Sequence, residues 1–472
     1  MVFSSLVFLC IFLPVTFCLH SVIPSIKIRN ALLIIASLIF YAYGEPVYVL
    51  LMIASSFLNY LFAYLMGGGR KKLLLVLAVV VNIGVLCVFK YTGFIVETIN
   101  SLSGTQIPVP LITLPIGISF FTFQALSYVI DVYRGNTSIQ KNYSKVLLYI
   151  SFFPQLIAGP SVKYRDIERE ISDRKVVLSE AALGLRRFIF GLAKKVLIAN
   201  TMAVAADYFF ADGAVPLNAA AAWIGAVAYA MQIYFDFSGY SDMAIGMGRM
   251  FGFHFKENFD HPYLSVSIKE FWRRWHISLS SWFKDYVYIP LGGNRKGKAR
   301  TWINKFIVFF LTGLWHGANW TFVIWGLFHG FFSSLEDGIK RLQRLPRVLG
   351  HIYTMLVVII GFVIFRADNL GYAFSYIGKM FSGSDFSSLQ VSHTVQQLTP
   401  FFIVMLVAAV FFCGPVQSIA EKIRRKSGDE SVVSTRAQVL QSVLFVIAAG
   451  LLLWCIIRLS GGAYNPFIYF RF

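Results

Sequence analysis

Long apolar runs separated by short polar stretches dominate the chain. They lie near 2–23, 46–66, 73–89, 111–131, 185–206, 219–235, 349–365, 400–415 and 437–458, and about 20 apolar residues are enough for a helix to cross a bilayer. A shorter run, 31–43, stops at Gly44-Glu45-Pro46, a turn signal. The pattern predicts an all-α polytopic membrane protein with about ten to eleven transmembrane helices. Two segments do not fit simple crossings. Residues 146–159 are short and interrupted at Phe153-Pro154 and Gly159-Pro160, and residues 303–333 have basic clusters beyond both ends. Each is predicted to be a re-entrant or broken helix. Irregular backbone at membrane depth persists only when buried in protein or lining a watery cavity. Between them, residues 263–289 place Leu264, Ile268, Phe271, Trp272, Trp275, Leu279, Trp282, Phe283 and Tyr286 at three-to-four spacing. That predicts an amphipathic helix lying at the cytoplasmic interface.

Composition supports the membrane reading. Of 472 residues, 57% are hydrophobic and 14% charged, against ~25% charged in soluble proteins. This excludes a disordered chain, a disulfide scaffold and an ordinary cytosolic enzyme. The net charge of +19 points to topology rather than to nucleic acid, because cytoplasmic loops of membrane proteins collect Lys and Arg. The basic clusters are Lys27/Arg29, Arg70-Lys71-Lys72, Lys163 to Lys175, Arg295 to Arg300, Lys340 to Arg347 and Lys422 to Lys426. Placing them all inside puts both termini outside, together with the charge-poor loops 92–110, 207–218 and 366–399. The apolar stretch Met1 to Ser25 has no basic residue before its apolar run and no small-residue cleavage pattern after it, so it is read as a retained span. Cys10, Cys18, Cys87, Cys413 and Cys455 sit in apolar runs without metal-ligand spacing, and no metal site is expected. With no internal repeat or linker, residues 1–472 read as a single membrane domain.

Three clusters carry candidate chemistry. In Gly313-Leu314-Trp315-His316-Gly317-Ala318-Asn319-Trp320, an ionisable residue at membrane depth is a functional candidate. A neutral imidazole there could take a proton from an attacking hydroxyl, or be a core histidine bonded to a carbonyl. In Phe271-Trp272-Arg273-Arg274-Trp275-His276, His276 could assist chemistry while Arg273 and Arg274 meet an anion. Alternatively, the arginines face lipid phosphates. In Tyr234 to Asp242, Asp236 and Asp242 must face a cavity or pair with cations such as Lys194 or Lys195. Gly292-x4-Gly297-Lys298 imitates a phosphate-binding loop, but Ala299 stands where a magnesium-binding Ser/Thr would be.

These clusters, with Phe152 to Pro160 and Tyr288 to Arg295, resemble the membrane-bound O-acyltransferase superfamily. The likeness is to the bacterial branch that acetylates alginate, related polysaccharides and peptidoglycan. It spreads over 115–330, and the two histidine motifs stand forty residues apart. The resemblance implies a helical bundle around a central tunnel, with a catalytic core over about 111–333, in the bacterial inner membrane. It implies that His316 is the principal catalytic histidine and His276 a second active-site residue. With that chemistry, Asn319 or backbone donors near the glycines could stabilise the oxyanion, and Asp236 could support the site. Arg273, Arg274, Arg295 and Lys296 would form a basic inner mouth for the acyl donor. That donor would be acetyl-CoA, a substrate rather than a tightly bound cofactor, or alternatively an acyl-carrier protein. The implied partners are membrane lipids, an extracytoplasmic SGNH-type acetyltransferase and a polysaccharide acceptor.

The chain ends Pro466-Phe467-Ile468-Tyr469-Phe470-Arg471-Phe472. The segment reads either as an interfacial aromatic belt or as a tail that re-enters the outer mouth, where Tyr469 accepts the acyl group. A phenol, with pKa near 10, leaves an ester more readily than a sugar hydroxyl. The other readings are D-alanyl transfer from a carrier protein to teichoic acid, and a polysaccharide or lipid transporter without covalent chemistry.

Overall fold

The computed structural model describes residues 1–157, 159–211, 217–384, 386–416, 435–462 and 464–466. The described residues are 77% helical, with no strand among them. Helices satisfy every backbone N–H and C=O within one segment, as a lipid surrounding demands. Among the described residues, five helices are long and apolar enough to cross a membrane: Tyr48–Gly68, Lys71–Ser103, Leu178–Phe209, Arg347–Arg366 and Gln438–Ser460. Ser388–Gln397 and Pro400–Phe412, bent by 65° at their junction, would make a sixth if counted together.

Several boundaries differ from the sequence reading. The first apolar helix covers only Phe8–Val22. The helix that begins at Lys71 runs on to Ser103, through a π-helical turn at Cys87–Tyr91, where the hydropathy pattern implied an outer loop. A larger correction concerns residues 263–289, which are not one interfacial helix. They form short helices, Ile268–Arg274 and Ile277–Phe283, followed by a π-helical turn, Lys284–Tyr288. Their apolar face is packed inside protein, with Phe271, Trp275 and Trp282 only 1%, 4% and 6% exposed. Both interrupted segments are as expected. Tyr143–Ser151 breaks at Phe152 before the single turn Phe153–Leu156, and 303–333 is a hairpin of Gly297–His316 and Trp320–Gly338.

The chain divides into two compact units. The first contains Met1–Phe188, Ser241–Glu257 and Lys284–Tyr286. In it Asn59 and Asn82 exchange reciprocal amide hydrogen bonds of 3.0 and 2.8 Å between neighbouring helices, each side chain satisfying the other where water is scarce. At the polar side of this unit, Asp285 accepts from Lys163 Nζ and Arg165 Nη2, both at 2.7 Å. Tyr286 donates to Asp131 at 2.8 Å. Here too Leu178–Ala193 meets Ala219–Met250 at glycines: a Cβ on Gly184 would lie 2.5 Å from the Gly246 carbonyl oxygen.

The second unit contains Ile189–Tyr240, Asn258–Phe283 and Val287–Phe472. The same two helices meet within it at Gly191 and Gly239, where a Cβ on Gly239 would lie 2.7 Å from the Gly191 oxygen. One turn further, Lys195 and Asp236 form a 2.7 Å ion pair with side chains 1% and 2% exposed.

Two outcomes test this account. Gly184→Leu forces the helices apart, so the thermal unfolding midpoint of the purified protein falls, at a cost of ~1–3 kcal/mol for overpacking. Burial opposes ionisation of Asp285, but the hydrogen bonds and charges of Lys163 and Arg165 outweigh it and hold the carboxyl below its ordinary range. Its stabilisation is therefore complete above the unfolded carboxyl pKa, about 4, and is lost as pH falls through the lower folded value. Asp285→Asn lowers the midpoint at pH 7, and the gap to wild type closes on acidification below that range.

Candidate active site

All the site geometry described here lies within the second unit. The His316 motif is a helix end followed by a helix start. His316 is the last residue of Gly297–His316, Gly317 is extended, and Asn319 caps Trp320–Gly338 by accepting from the Thr321 N–H at 3.0 Å. The Asn319 amide also donates to the Asp368 carbonyl at 3.0 Å, so this side chain holds the turn closed. The glycines are needed for contact between the two arms. A Cβ on Gly317 would overlap the Phe322 ring, and one on Gly313 the Phe322 carbonyl. This delivers the His316 imidazole, 9% exposed, into a wall of rings. Trp315, Trp325 and Phe365 lie 4.9, 5.1 and 5.2 Å away between ring centroids.

His276 reaches the same wall from another direction. Its ring lies 4.5 Å from Phe237 and 6.0 Å from Trp315, so both histidines are in ring contact with the one indole of Trp315. Its backbone is left-handed, with φ 44°, a conformation costly for a non-glycine residue and characteristic of functional positions. Hydrogen bonds hold it there: Ile277 N–H donates to the Asn258 carbonyl at 2.9 Å, and Asp260 N–H to the Arg274 carbonyl at 2.9 Å. Asn258 goes further. Its side-chain oxygen accepts from the Ser278 N–H at 3.2 Å and from the Ser278 hydroxyl at 2.8 Å. A backbone N–H can only meet an oxygen, so this contact fixes the amide orientation. His276 Nδ1, 3.1 Å from that oxygen, must then be the protonated nitrogen. The lone pair is left on Nε2, which is buried and has no hydrogen-bond partner among the described residues. Burial in this apolar shell disfavours the imidazolium, so His276 presents a neutral base to the wall.

The other sequence candidates separate. Asp236 pairs with Lys195, and it precedes Phe237, whose ring packs on His276. Arg274 is taken up by Glu270 at 2.8 Å and Asp260 at 3.6 Å. Arg273 keeps 75% of its side chain exposed, and Arg295 and Lys296 are exposed. Tyr469 lies outside the described residues. Two contributors carry no signal in the sequence, and Trp315, quoted there only as part of the His316 motif, gains its role through contacts in space. Asn258 becomes meaningful only through such contacts. His329, buried against Trp272 at 5.1 Å and Trp325 at 5.3 Å, extends the ring wall, and its spacing on Trp320–Gly338 is that of any core residue.

A pair of buried imidazoles gathered about one indole, one of them with its tautomer set, is suited to moving a hydroxyl proton in a place poor in water. Comparison with known proteins agrees. The sequence profile of the membrane-bound O-acyltransferase family matches residues 140–374. The chain is 42% identical to a probable alginate O-acetylase of Pseudomonas putida across the whole of both chains. It is 34% identical to a peptidoglycan O-acetyltransferase of Helicobacter pylori, covering 88% of this chain and 89% of that one. With a teichoic acid D-alanyltransferase of Bacillus subtilis the identity is 29%, over 53% of this chain and 68% of the relative. The chain belongs to the membrane-bound O-acyltransferase family.

Proposed function

We propose that this multi-pass membrane O-acyltransferase carries acetyl groups from cytosolic acetyl-CoA across the bacterial inner membrane for O-acetylation of an extracytoplasmic polysaccharide or peptidoglycan. The observation that carries the reading is the convergence of His276 and His316 on Trp315. A thioester is already activated, so no nucleotide is required. The site must hold the carbonyl beside a hydroxyl, remove one proton and exclude water. In this scheme His316 takes the proton from the acceptor hydroxyl as its oxygen attacks the acetyl carbon. The C–O ester bond forms, the C–S bond breaks, and the proton passes to the departing sulfur, so that coenzyme A leaves as the free thiol. His276, neutral with its lone pair on Nε2, assists as the second active-site residue, its ring packed with that of His316 on Trp315. Oxyanion stabilisation falls to N–H groups around the Gly317–Asn319 turn, and Asp236 supports the site through its ion pair. Arg273, Arg295 and Lys296 offer exposed positive charge to the donor's phosphates.

The finer topology belongs to the same reading: ten to eleven crossings around a central tunnel, one membrane domain with its core over about 111–333, and both termini outside. The distribution of basic clusters supports it. Tyr469 would be the hydroxyl first acylated, and an extracytoplasmic SGNH-type transferase would pass the group from its phenol ester to polymer. Acetyl is favoured over D-alanyl because the likeness to O-acetylating relatives covers most or all of the chain, whereas that to the D-alanyltransferase covers 53%.

Three variants test the scheme in purified full-length protein supplied with radiolabelled acetyl-CoA. His316→Ala abolishes transfer while donor binding persists; retained transfer would remove His316 from the chemistry. Asn258→Leu frees the His276 tautomer and lowers turnover by up to the ~10²–10⁴-fold typical of acid–base groups, with donor affinity unchanged. With the partner transferase and polymer added, Tyr469→Phe keeps the aromatic anchor and stops polymer acetylation; an unchanged polymer product excludes the relay.

A further inference from the structure

The last described residues of the chain are held by consecutive polar contacts. The Tyr464 hydroxyl donates to Asp207 Oδ2 at 2.6 Å. The Asn200 amide donates to the Asn465 side-chain oxygen at 3.1 Å. The Lys195 ammonium donates to the Pro466 carbonyl. The three partners sit on the membrane helix Leu178–Phe209 and are met in reverse order as the tail advances. They share a face for a specific reason. In a regular α-helix residues five apart diverge by roughly 140°, which would turn Lys195 away from Asn200. Here Lys194–Ala199 is a π-helical turn and the Asn200 N–H donates to the Lys195 carbonyl, so residues five apart are brought back toward alignment. Asn200 and Asp207, seven apart, are aligned by two ordinary turns. Lys195 and Asn200 are 1% and 4% exposed, and polar groups so placed in an apolar helix are costly unless they serve a partner. Two of them are braced from behind: Asp236 holds Lys195 at 2.7 Å, and Arg366 holds Asp207 at 2.7 Å.

We propose that the face formed by Lys195, Asn200 and Asp207 is an intramembrane docking track for the chain's own C-terminal segment, residues 464–466. The Lys195 end of the track adjoins the histidine chamber. Asp236, which braces Lys195, is followed by Phe237, whose ring packs 4.5 Å from that of His276. Tyr469 follows Pro466 by three residues, a contour of at most about 11 Å. Lys195, Asn200 and Tyr464 are therefore positioning residues, and this consequence, unlike the docking itself, rests on the relay reading.

The test uses full-length protein with its native cysteines replaced by alanine. Asn200→Cys with Asn465→Cys forms a disulfide on mild oxidation, while Thr201→Cys with Asn465→Cys, one residue around the helix, does not. Absence of the first cross-link, or equal yield from both pairs, overturns the track. In the otherwise native chain, Tyr464→Phe leaves Asp207 paired with Arg366, and Asn200→Ala is similarly mild. Mass spectrometry of residues 459–472 after exposure to acetyl-CoA should show tail acylation reduced in each, toward the ~10²-fold cost of misplacing a reacting group. Acetyl-CoA affinity and thermal midpoint should stay at wild-type values, which a merely structural defect would not spare. Wild-type acylation in both variants overturns the positioning role. A specific cross-link together with unchanged polymer acetylation in Tyr469→Phe supports docking and overturns only the relay.

Discussion

An ammonium and a carboxylate inside a pair of apolar helices can remain charged only against each other. Lys195 and Asp236 meet that requirement at 2.7 Å with almost no exposure, and much of the second unit is arranged around them. The pair needs backbones close enough for short reach, which Gly191 and Gly239 permit one turn away. It needs a π-helical turn to aim Lys195. Replacing such a pair with well-packed hydrophobic residues is often neutral or stabilising, so its presence in this helix pair argues for work beyond holding the fold. The Pro466 carbonyl accepts from Lys195, and Phe237, which follows Asp236, packs on His276.

The two histidines reach the ring wall by different physics. His316 is placed by regular structure: a helix ends, a glycine extends, an asparagine caps the next helix. His276 is placed by irregular structure, in a break between two short helices and in a backbone state that most residues avoid. One arrangement is rigid because the hairpin arms touch through glycines. The other is rigid because Asn258 gathers three donors, including a backbone N–H that cannot be replaced by a flipped amide.

Legibility in the sequence followed the range of the interactions involved. The interruption at His316 was readable because Gly313 and Gly317 flank it, but Asn319, read from the sequence as an oxyanion donor, has its side chain engaged as the cap of the next helix and with the Asp368 carbonyl. The break near Phe152 was readable because proline marks it. The interruption at Trp275-His276 was not, because three-to-four apolar spacing persists across it and the contacts that impose it come from Asn258, eighteen residues earlier. Asp236 could be matched to Lys194 or Lys195 from charge alone, but choosing Lys195 depends on a π-helical turn that no residue pattern announces. The tail contacts span up to 271 residues of sequence and leave no periodic trace. Arg274 shows the opposite case: a basic residue suited to an anionic donor is already neutralised by Glu270 and Asp260.

The left-handed backbone at His276 has a mechanical consequence. Glycine would occupy φ 44° without strain, but it would leave the space of a buried ring empty between Phe237 and Trp315, and such a cavity costs more than the strain it relieves. The side chain therefore fastens its own awkward backbone: the packing that makes the imidazole available to the wall also holds the break between the two short helices in place.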